Sequence, residues 1–574
     1  MFKLTHYLGR YKSHLFFAPL FKFLEAATDL VTPILVALIL DRGIPNGDTN
    51  FIIWVSVGVL AMNLFGFVCA IICQKLSAKA CRGVGMDIRR DMYAHITSLS
   101  RAEKDRFTTM ALTNRVVHDV SQIENAIGMT VRNIARAPFL LVGATIAAMI
   151  IDLKLSLVFL AVMPFIVLVV MLIMKKSSPK YVEAKTSLDR VSNVTRENLS
   201  GNRVVRAFNK QEDEIKKFDA VNEEFTKKNI DIGKLAAFMR PLLYIIIQLG
   251  TIAVVYFGGV HVNAGRLTQG KIISFINYFM QISSSLVVIA RLIIVFTRTG
   301  ASIKRVGEVF SYSTSVKVAT NPIRIDENVK PAIEFRDVCF SYNNLKNVVD
   351  HLTISIAAGS TIGIIGGTGS GKSTLVNLLP RLYDVTSGEI LLDGVNIKKY
   401  DLDDLRNYVA IVPQNPILFK GTIESNLRFR KKDATNEEIT KALRISQSYE
   451  FVYEKPDNLK TRVERGGTNF SGGQRQRLTI ARALVGDPSI LILDDSSSAL
   501  DFETDYKLRQ ALSVTLKETT KIIVSQRTNS IKDADQIIVM DNGSIVGIGK
   551  HKGLLRTCAV YKEIYDSQNK KKGE

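Results

Sequence analysis

Cysteine is scarce in this sequence and is nowhere set out as a metal-binding pattern. Its five copies, Cys69, Cys73, Cys81, Cys339 and Cys558, share no ligand spacing. That excludes a cysteine-spaced zinc module and a disulfide framework, and leaves packing residues in a reduced compartment. Charge is missing in a more informative way. Residues 51–73, 155–174 and 241–260 contain no Asp, Glu, Lys or Arg. Each run is long enough to cross a bilayer as a helix. Shorter clean runs at 137–151 and 272–290 continue into helix-compatible sequence, and a further stretch is broken only by Lys22, Glu25 and Asp29. Six spans are expected, at about 14–40, 51–73, 134–151, 155–174, 241–264 and 271–296. A cleavable signal peptide is not expected, because the first apolar stretch runs on to Leu40 without a cleavage site.

What is present in excess is positive charge, 75 Lys plus Arg against 54 Asp plus Glu. A basic chain raises nucleic acid as a partner, but the basic residues follow the spans. Segments 74–133 and 175–240 carry ten and fifteen of them, whereas 41–50, 152–154 and 264–271 carry one or two each. That asymmetry predicts a multi-pass protein of the cytoplasmic membrane, with the long segments and both termini cytoplasmic, and excludes nucleic acid. Both long segments are poor in Pro and Gly and too long for plain loops. They read as helical extensions of the spans, reaching roughly 40 Å below the membrane, with turns near Thr108–Asn114 and Gly201–Asn209.

The grammar changes after the spans. Residues 1–310 read as an all-α transmembrane domain, 311–331 as a linker, 332–565 as an α/β domain and 566–574 as a solvated basic tail. In the third part, short β-branched runs such as "IEFRDVCFSY" alternate with helical patterns. After the strand "STIGIIG" come Gly366, Gly367, Thr368, Gly369, Ser370, Gly371, Lys372 and Ser373, with Thr374 opening a helical pattern. This is G-x-x-x-x-G-K-[ST]: backbone amides close around phosphates, Lys372 reaches the outer phosphates and Ser373 binds magnesium. In "LILDD" an apolar run delivers Asp494 to that magnesium, and Asp495 takes the place of the group that positions the attacking water. In "NFSGGQRQRLTIARAL", Ser471, Gly472 and Gly473 open a second helix that favours phosphate. A second such start is redundant unless it serves another molecule's nucleotide.

The string around Ser471, Gly472, Gly473 and Gln474 closely resembles the signature of ATP-binding cassette (ABC) proteins, with Phe470 in place of the usual Leu. With six spans in front, the whole chain resembles a bacterial half-transporter of the ABC exporter family, with type I exporter architecture. The resemblance implies ATP and magnesium as ligands and a P-loop ABC ATPase domain. It implies that Tyr342 stacks on adenine, and that Gln414 in "IVPQNPILF" touches magnesium beside Ser373 and Asp494. It implies that Asp501 speaks across a dimer with Ser471–Gln474, and that "ENLSGNRVVRAFNKQEDE" forms a coupling helix docking on the partner's ATPase domain.

Two positions depart from the family. Asp495 stands where it has Glu, and Gln526 in "KIIVSQRT" stands where it has His. The shorter acid displaces its carboxylate by about 1 Å, a shift that costs about 100-fold in rate. Gln526 donates a hydrogen bond but cannot become cationic. Such a site binds nucleotide and barely hydrolyses it, while the intact signature completes a partner's site. The leading expectation is one subunit of a heterodimeric exporter, whose partner carries the Glu and the His. A homodimer with slow turnover and an ATP-gated channel or regulatory subunit are the alternatives. Glu25 and Asp29, one turn apart in the first span, either line a cavity for a small cationic amphiphile or pair with bases such as Arg240 or Arg291. Gln281 and Ser283–Ser285 either line that cavity or pack helices.

Overall fold

The computed structural model describes residues 3–325, 332–342 and 346–569. Two compact units divide them: Met1–Thr97 with Thr109–Ser311, and Ser98–Thr108 with Tyr312–Glu574. In the first unit, six helices among the described residues are long and apolar enough to cross a membrane: Lys12–Gly43, Thr49–Ser98, Thr109–Ile151, Leu153–Ala207, Gln211–Asn263 and Gln269–Ser311. Leu153–Ala207 has 55 residues, about 80 Å of helix, so the apolar and charged segments form one rod. It pairs with Gln211–Asn263 as an antiparallel hairpin, crossed by Arg190–Glu224 at 3.2 Å and Lys217–Glu197 at 3.3 Å. Both are exposed pairs worth at most about 1 kcal/mol each, so packing carries the hairpin.

Both turns expected between the long helices differ from expectation. Residues 109–114 are helical, and the first turn lies within Ser98–Thr108, around a short helix Arg101–Asp105. Ser100 Oγ hydrogen-bonds the Glu103 carboxylate there, and Glu103 Oε1 accepts the Ser315 amide at 3.1 Å. At the second turn the chain stays helical through Gly201 to Ala207. Asn209 takes φ +52, with Asn209 N–H donating to Arg206 O and Lys210 N–H to Val205 O. This is a Schellman closure with Asn in the left-handed position, and it needs only three residues.

At the charge-poor ends, two aspartates cap helices. Asp152 accepts Leu155 N at 3.0 Å and lies 2.7 Å from His261 Nδ1. Asp41 accepts Thr268 Oγ1 at 2.5 Å and Gly270 N at 2.8 Å.

The second unit is α/β. Its strands are β1 (Ile333–Phe340), β2 (Val349–Ile356), β3 (Thr361–Gly366), β4 (Ser387–Leu392), β5 (Val395–Asn396), β6 (Val409–Val412), β7 (Gly421–Thr422), β8 (Arg462–Val463), β9 (Ile490–Asp494), β10 (Thr520–Val524), β11 (Gln536–Asp541) and β12 (Ser544–Gly549). An antiparallel sheet runs β2-β1-β4-β5, and a six-stranded sheet runs β12-β11-β3-β10-β9-β6. In the larger sheet only β12 pairs antiparallel. β9 is buried at every residue, which explains its unbroken apolar run. Because β3, β10 and β9 are parallel neighbours, their carboxyl ends lie side by side, where ligands bind in open α/β sheets. One core joins both sheets and the helix after β3. A separate core, with Phe470, Leu478 and Leu500, fills the helical lobe.

The tail differs from expectation as well. Residues up to Asn569 belong to the helix Ala559–Asn569, and the remainder of the tail, like part of the linker, lies outside the described residues.

Candidate functional site

Three carboxyl ends build the site. From β3 the chain enters the loop Gly366–Gly371 and then the helix Lys372–Leu378. A side chain on Gly366 would run into the Met540 carbonyl of β11, and Gly371 takes φ +93 with Val348 O only 2.5 Å from where a Cβ would stand. Glycine is therefore imposed by close approach at one position and by left-handed backbone at the other. Gly367, Thr368 and Gly369 are exposed, Ser370 is buried, and the loop's open face is free for a ligand.

Lys372 is buried, and its ammonium turns onto its own loop, donating to Gly366 O at 2.9 Å, Gly367 O at 2.5 Å and Ser370 Oγ at 3.2 Å. From β9, Asp494 Oδ1 accepts Ser373 Oγ at 2.8 Å, and Asp495 Oδ2 accepts Gln414 Nε2 at 3.3 Å. Ser373, Asp494, Asp495 and Gln414 thus meet in one patch. Burial pushes Asp494 and Asp495 above the usual carboxylate range and holds Lys372 below its ordinary value. A buried cation, two strained acids and an oxygen-rich donor set fit a magnesium nucleotide, whose charges all three lack.

Tyr342 reaches the helix that follows the loop: its hydroxyl lies 3.0 Å from Thr374 Oγ1. Its ring stands edge-on to Phe340 and to Tyr383, at 4.9 and 5.3 Å. Tyr383 in turn donates to Asp105 Oδ2 at 2.5 Å. A chain of contacts therefore runs from the short helix Arg101–Asp105 to the first turn of the helix behind the phosphate loop, and neither Asp105 nor Tyr383 stands in a motif legible in the sequence.

Asp495 has φ +44, in a left-handed conformation that Asp tolerates better than most residues. Gln526, just beyond β10, is exposed, and its carbonyl accepts Gln568 Nε2 at 2.6 Å. Gln568 Oε1 also accepts Thr528 N at 2.8 Å and Thr528 Oγ1 at 3.0 Å. The last turn of the C-terminal helix thus fixes this loop. The only sequence signal for that is a Gln in a segment that reads as tail.

Ser471–Gln474 is planted in the other core. Ser471 Oγ accepts Gln474 N at 3.2 Å and Gln474 Oε1 accepts Ser471 N at 3.1 Å, a reciprocal cap on the helix Gly472–Leu484. Ser471 and Gly472 are exposed, and a Cβ on Gly472 would meet nothing within 4 Å. Phe470 is buried under the Lys455 ammonium, 5.1 Å from its ring centre, so the larger aromatic is accommodated in the lobe. Among the described residues no hydrogen bond joins Ser471–Gln474 to the phosphate loop. Asp501 caps the helix Phe502–Thr515 through Thr504 N at 3.1 Å, and the Thr504 side chain and amide together hold its carboxyl below the usual carboxylate range.

In the first unit, the basic partner of Glu25 and Asp29 is Arg136, not Arg291; the side chain of Arg240 lies outside the described residues. Arg136 lies 2.9 Å from Asp29 and 3.6 Å from Glu25, and Lys22 lies 2.7 Å from Glu25. Two acids and two bases cancel. Gln281 Nε2 donates to Asp29 O at 2.9 Å, Ser283 and Ser285 are buried, and Ser284 between them is exposed.

A membrane-spanning unit joined to a parallel-sheet domain with a phosphate loop after β3 and acids after β9 defines a membrane-bound P-loop ATPase. Its relatives are specific. A family model described as "ABC transporter transmembrane region" matches residues 15–286, and one described as "ABC transporter" matches 349–498. An uncharacterized ABC transporter ATP-binding protein of Mycobacterium tuberculosis is 35% identical over 544 residues, 94% of this chain and 93% of that one. A Bacillus subtilis protein, provisionally named a multidrug export ATP-binding/permease protein, is 30% identical over 576 residues, 99% of each chain. The fold matches a bacterial Atm1-family ABC exporter solved with ATP bound, at TM-score 0.82 and 23% identity, covering 98% of this chain and 99% of that one. The chain belongs to the ABC transporter family, as a multi-pass membrane protein whose ATPase domain hydrolyses ATP.

Proposed function

We propose that this chain is one subunit of a heterodimeric ABC exporter. It moves a small amphipathic molecule out across the cytoplasmic membrane, with both termini cytoplasmic. The observation that carries the asymmetry is Asp495 and Gln526 beside an intact Ser471–Gln474. The multidrug-export name of the Bacillus subtilis relative supports the cargo class. The mutual neutralisation of Glu25, Asp29, Lys22 and Arg136 argues against cargo selected by positive charge alone.

In this reading, the amides of Gly366–Gly371 and the Lys372 ammonium bind the phosphates, and Tyr342 stacks on the base. Ser373, Gln414 and Asp494 hold the magnesium ion, which neutralises phosphate charge when bound. Asp495 holds the attacking water one methylene too far back, and Gln526 offers the γ-phosphate a neutral donor. The site retains nucleotide and turns it over slowly. Ser471 and Gly472 present the helix start to the nucleotide on the partner, where a Glu and a His complete the chemistry. Closure of two ATPase domains around both nucleotides biases the membrane helices outward, and hydrolysis at the partner's site resets them.

Steady-state phosphate release by the co-expressed pair tests this. Ser471→Arg blocks backbone approach to the partner's γ-phosphate. It is expected to remove nearly all turnover, since one oriented donor there contributes roughly 3 kcal/mol. Lys372→Ala should leave turnover largely in place. Near-normal release by Ser471→Arg, equal loss in both variants, or brisk hydrolysis by this chain as a verified homodimer would each refute the asymmetry.

A further inference from the structure

The antiparallel sheet carries a second group of ligand-bearing side chains, none of them in the phosphate loop. β1 and β2 pair Val338 with Leu352 and Phe340 with Val349. Between those pairs, one residue of β1, Cys339, faces two of β2, Asp350 and His351. Such a two-against-one bulge re-aims side chains, and here it gathers a thiol, a carboxylate and an imidazole. One ligand atom from each of the three lies within 4.8 Å of the others.

Cys339 is buried, Asp350 half-buried and His351 exposed, so the group opens outward from a fixed sulfur. His351 N–H donates to Cys339 Sγ at 3.2 Å, and the same sulfur lies 3.9 Å from Asp350 Oδ1. Asp337, two residues before Cys339 on β1, lies 2.6 Å from His351 Nδ1. That leaves Nε2 as the ring's ligating nitrogen, in the carboxylate–imidazole arrangement that orients metal-bound histidines. Asn347 Nδ2 holds Asp350 Oδ1 at 2.7 Å.

We propose that Cys339, Asp350 and His351 form a binding site for a divalent metal of the zinc class, with Asp337 orienting the histidine. One thiolate, one imidazole and one carboxylate, with a fourth position left to water, suit zinc and not magnesium or calcium. Closing a tetrahedral shell needs the atoms about 3.5 Å apart, and the exposed His351 supplies that movement of about 1 Å. The ion pins the end of β1 to β2, three residues before Tyr342.

The test uses the full chain in detergent, stripped by chelator and titrated with Co2+ alone as a spectroscopic stand-in. A thiolate-to-cobalt absorption band saturating at one equivalent, and displaced by Zn2+, is the expected result. Cobalt at the oxygen-lined nucleotide site produces no such band. Cys339→Ser should abolish it. His351→Gln and Asp337→Asn should each weaken Co2+ binding by about tenfold or more. No band from protein that still binds ATP, an unchanged band in Cys339→Ser, or unaltered affinity in His351→Gln would overturn the proposal.

Discussion

Asp494 and Asp495 bring two carboxylates into the end of one buried strand, and burial raises the pH at which each ionises. A raised carboxyl favours the folded chain below the ordinary carboxylate range. It loses that contribution as pH climbs through the raised value. Above those raised values the empty domain carries ionised acids in a site built for a cation. Asp494→Asn is expected to raise the thermal midpoint of the nucleotide-free protein at pH 7, by less as pH falls into the carboxylate range. The same variant should lose magnesium-dependent stabilisation by ATP. Unfolding scans across pH check this, and an unchanged midpoint at neutral pH would refute it.

Asp495 offers a second measurement. Glutamate there restores the missing methylene but must adopt φ +44, at about 1–2 kcal/mol. The reach it recovers is worth about 100-fold in rate, or roughly 2.7 kcal/mol. Asp495→Glu should therefore still raise phosphate release by this chain alone, by about tenfold or less. No increase would mean that the acid's reach is not what limits the site.

Among elements, the C-terminal helix fixes a loop that precedes it in sequence. Gln568 makes three hydrogen bonds to the loop carrying Gln526 and Thr528. Gln568→Ala should lower the slow turnover of this chain alone several-fold and leave its ATP affinity unchanged, because it loosens the loop beyond β10 and touches no phosphate-binding group. Parallel equilibrium binding and phosphate-release assays separate the two effects; a matching loss of affinity would point to general unfolding. The spans, the phosphate loop and the strand carrying Asp494 were legible because charge-free runs and a fixed eight-residue motif are local signals. The turn at Ser98–Thr108 was not, although Ser100-x-x-Glu103 is a helix-start pattern. A helix-friendly composition on both sides hid it. Gln568 and the Cys339–His351 bulge depend on residues brought together by the fold, which spacing along the chain does not encode.

For the molecule as a whole, the neutral cluster of Lys22, Glu25, Asp29 and Arg136 ties two of the six membrane helices together. Removing one charge strands the others. Arg136→Gln is expected to destabilise the protein in detergent, by less than the about 3–5 kcal/mol of a fully buried pair, since Arg136 is 37% exposed. Removing Glu25 and Asp29 as well, as Gln and Asn, should recover much of the loss, and Lys22 then remains as a lone snorkelling base. Thermal scans of the single and triple variants distinguish this from a packing defect, which the triple variant would deepen.

The hairpin of Leu153–Ala207 and Gln211–Asn263 closes through only Phe208, Asn209 and Lys210. Its two rods thus behave as one stiff beam about 80 Å long. Leverage follows from length alone. A tilt of about 4° about one end sweeps the other through about 5 Å, close to one helical pitch. Small rotations among membrane helices thereby become displacements as large as a register step at the Asn209 tip.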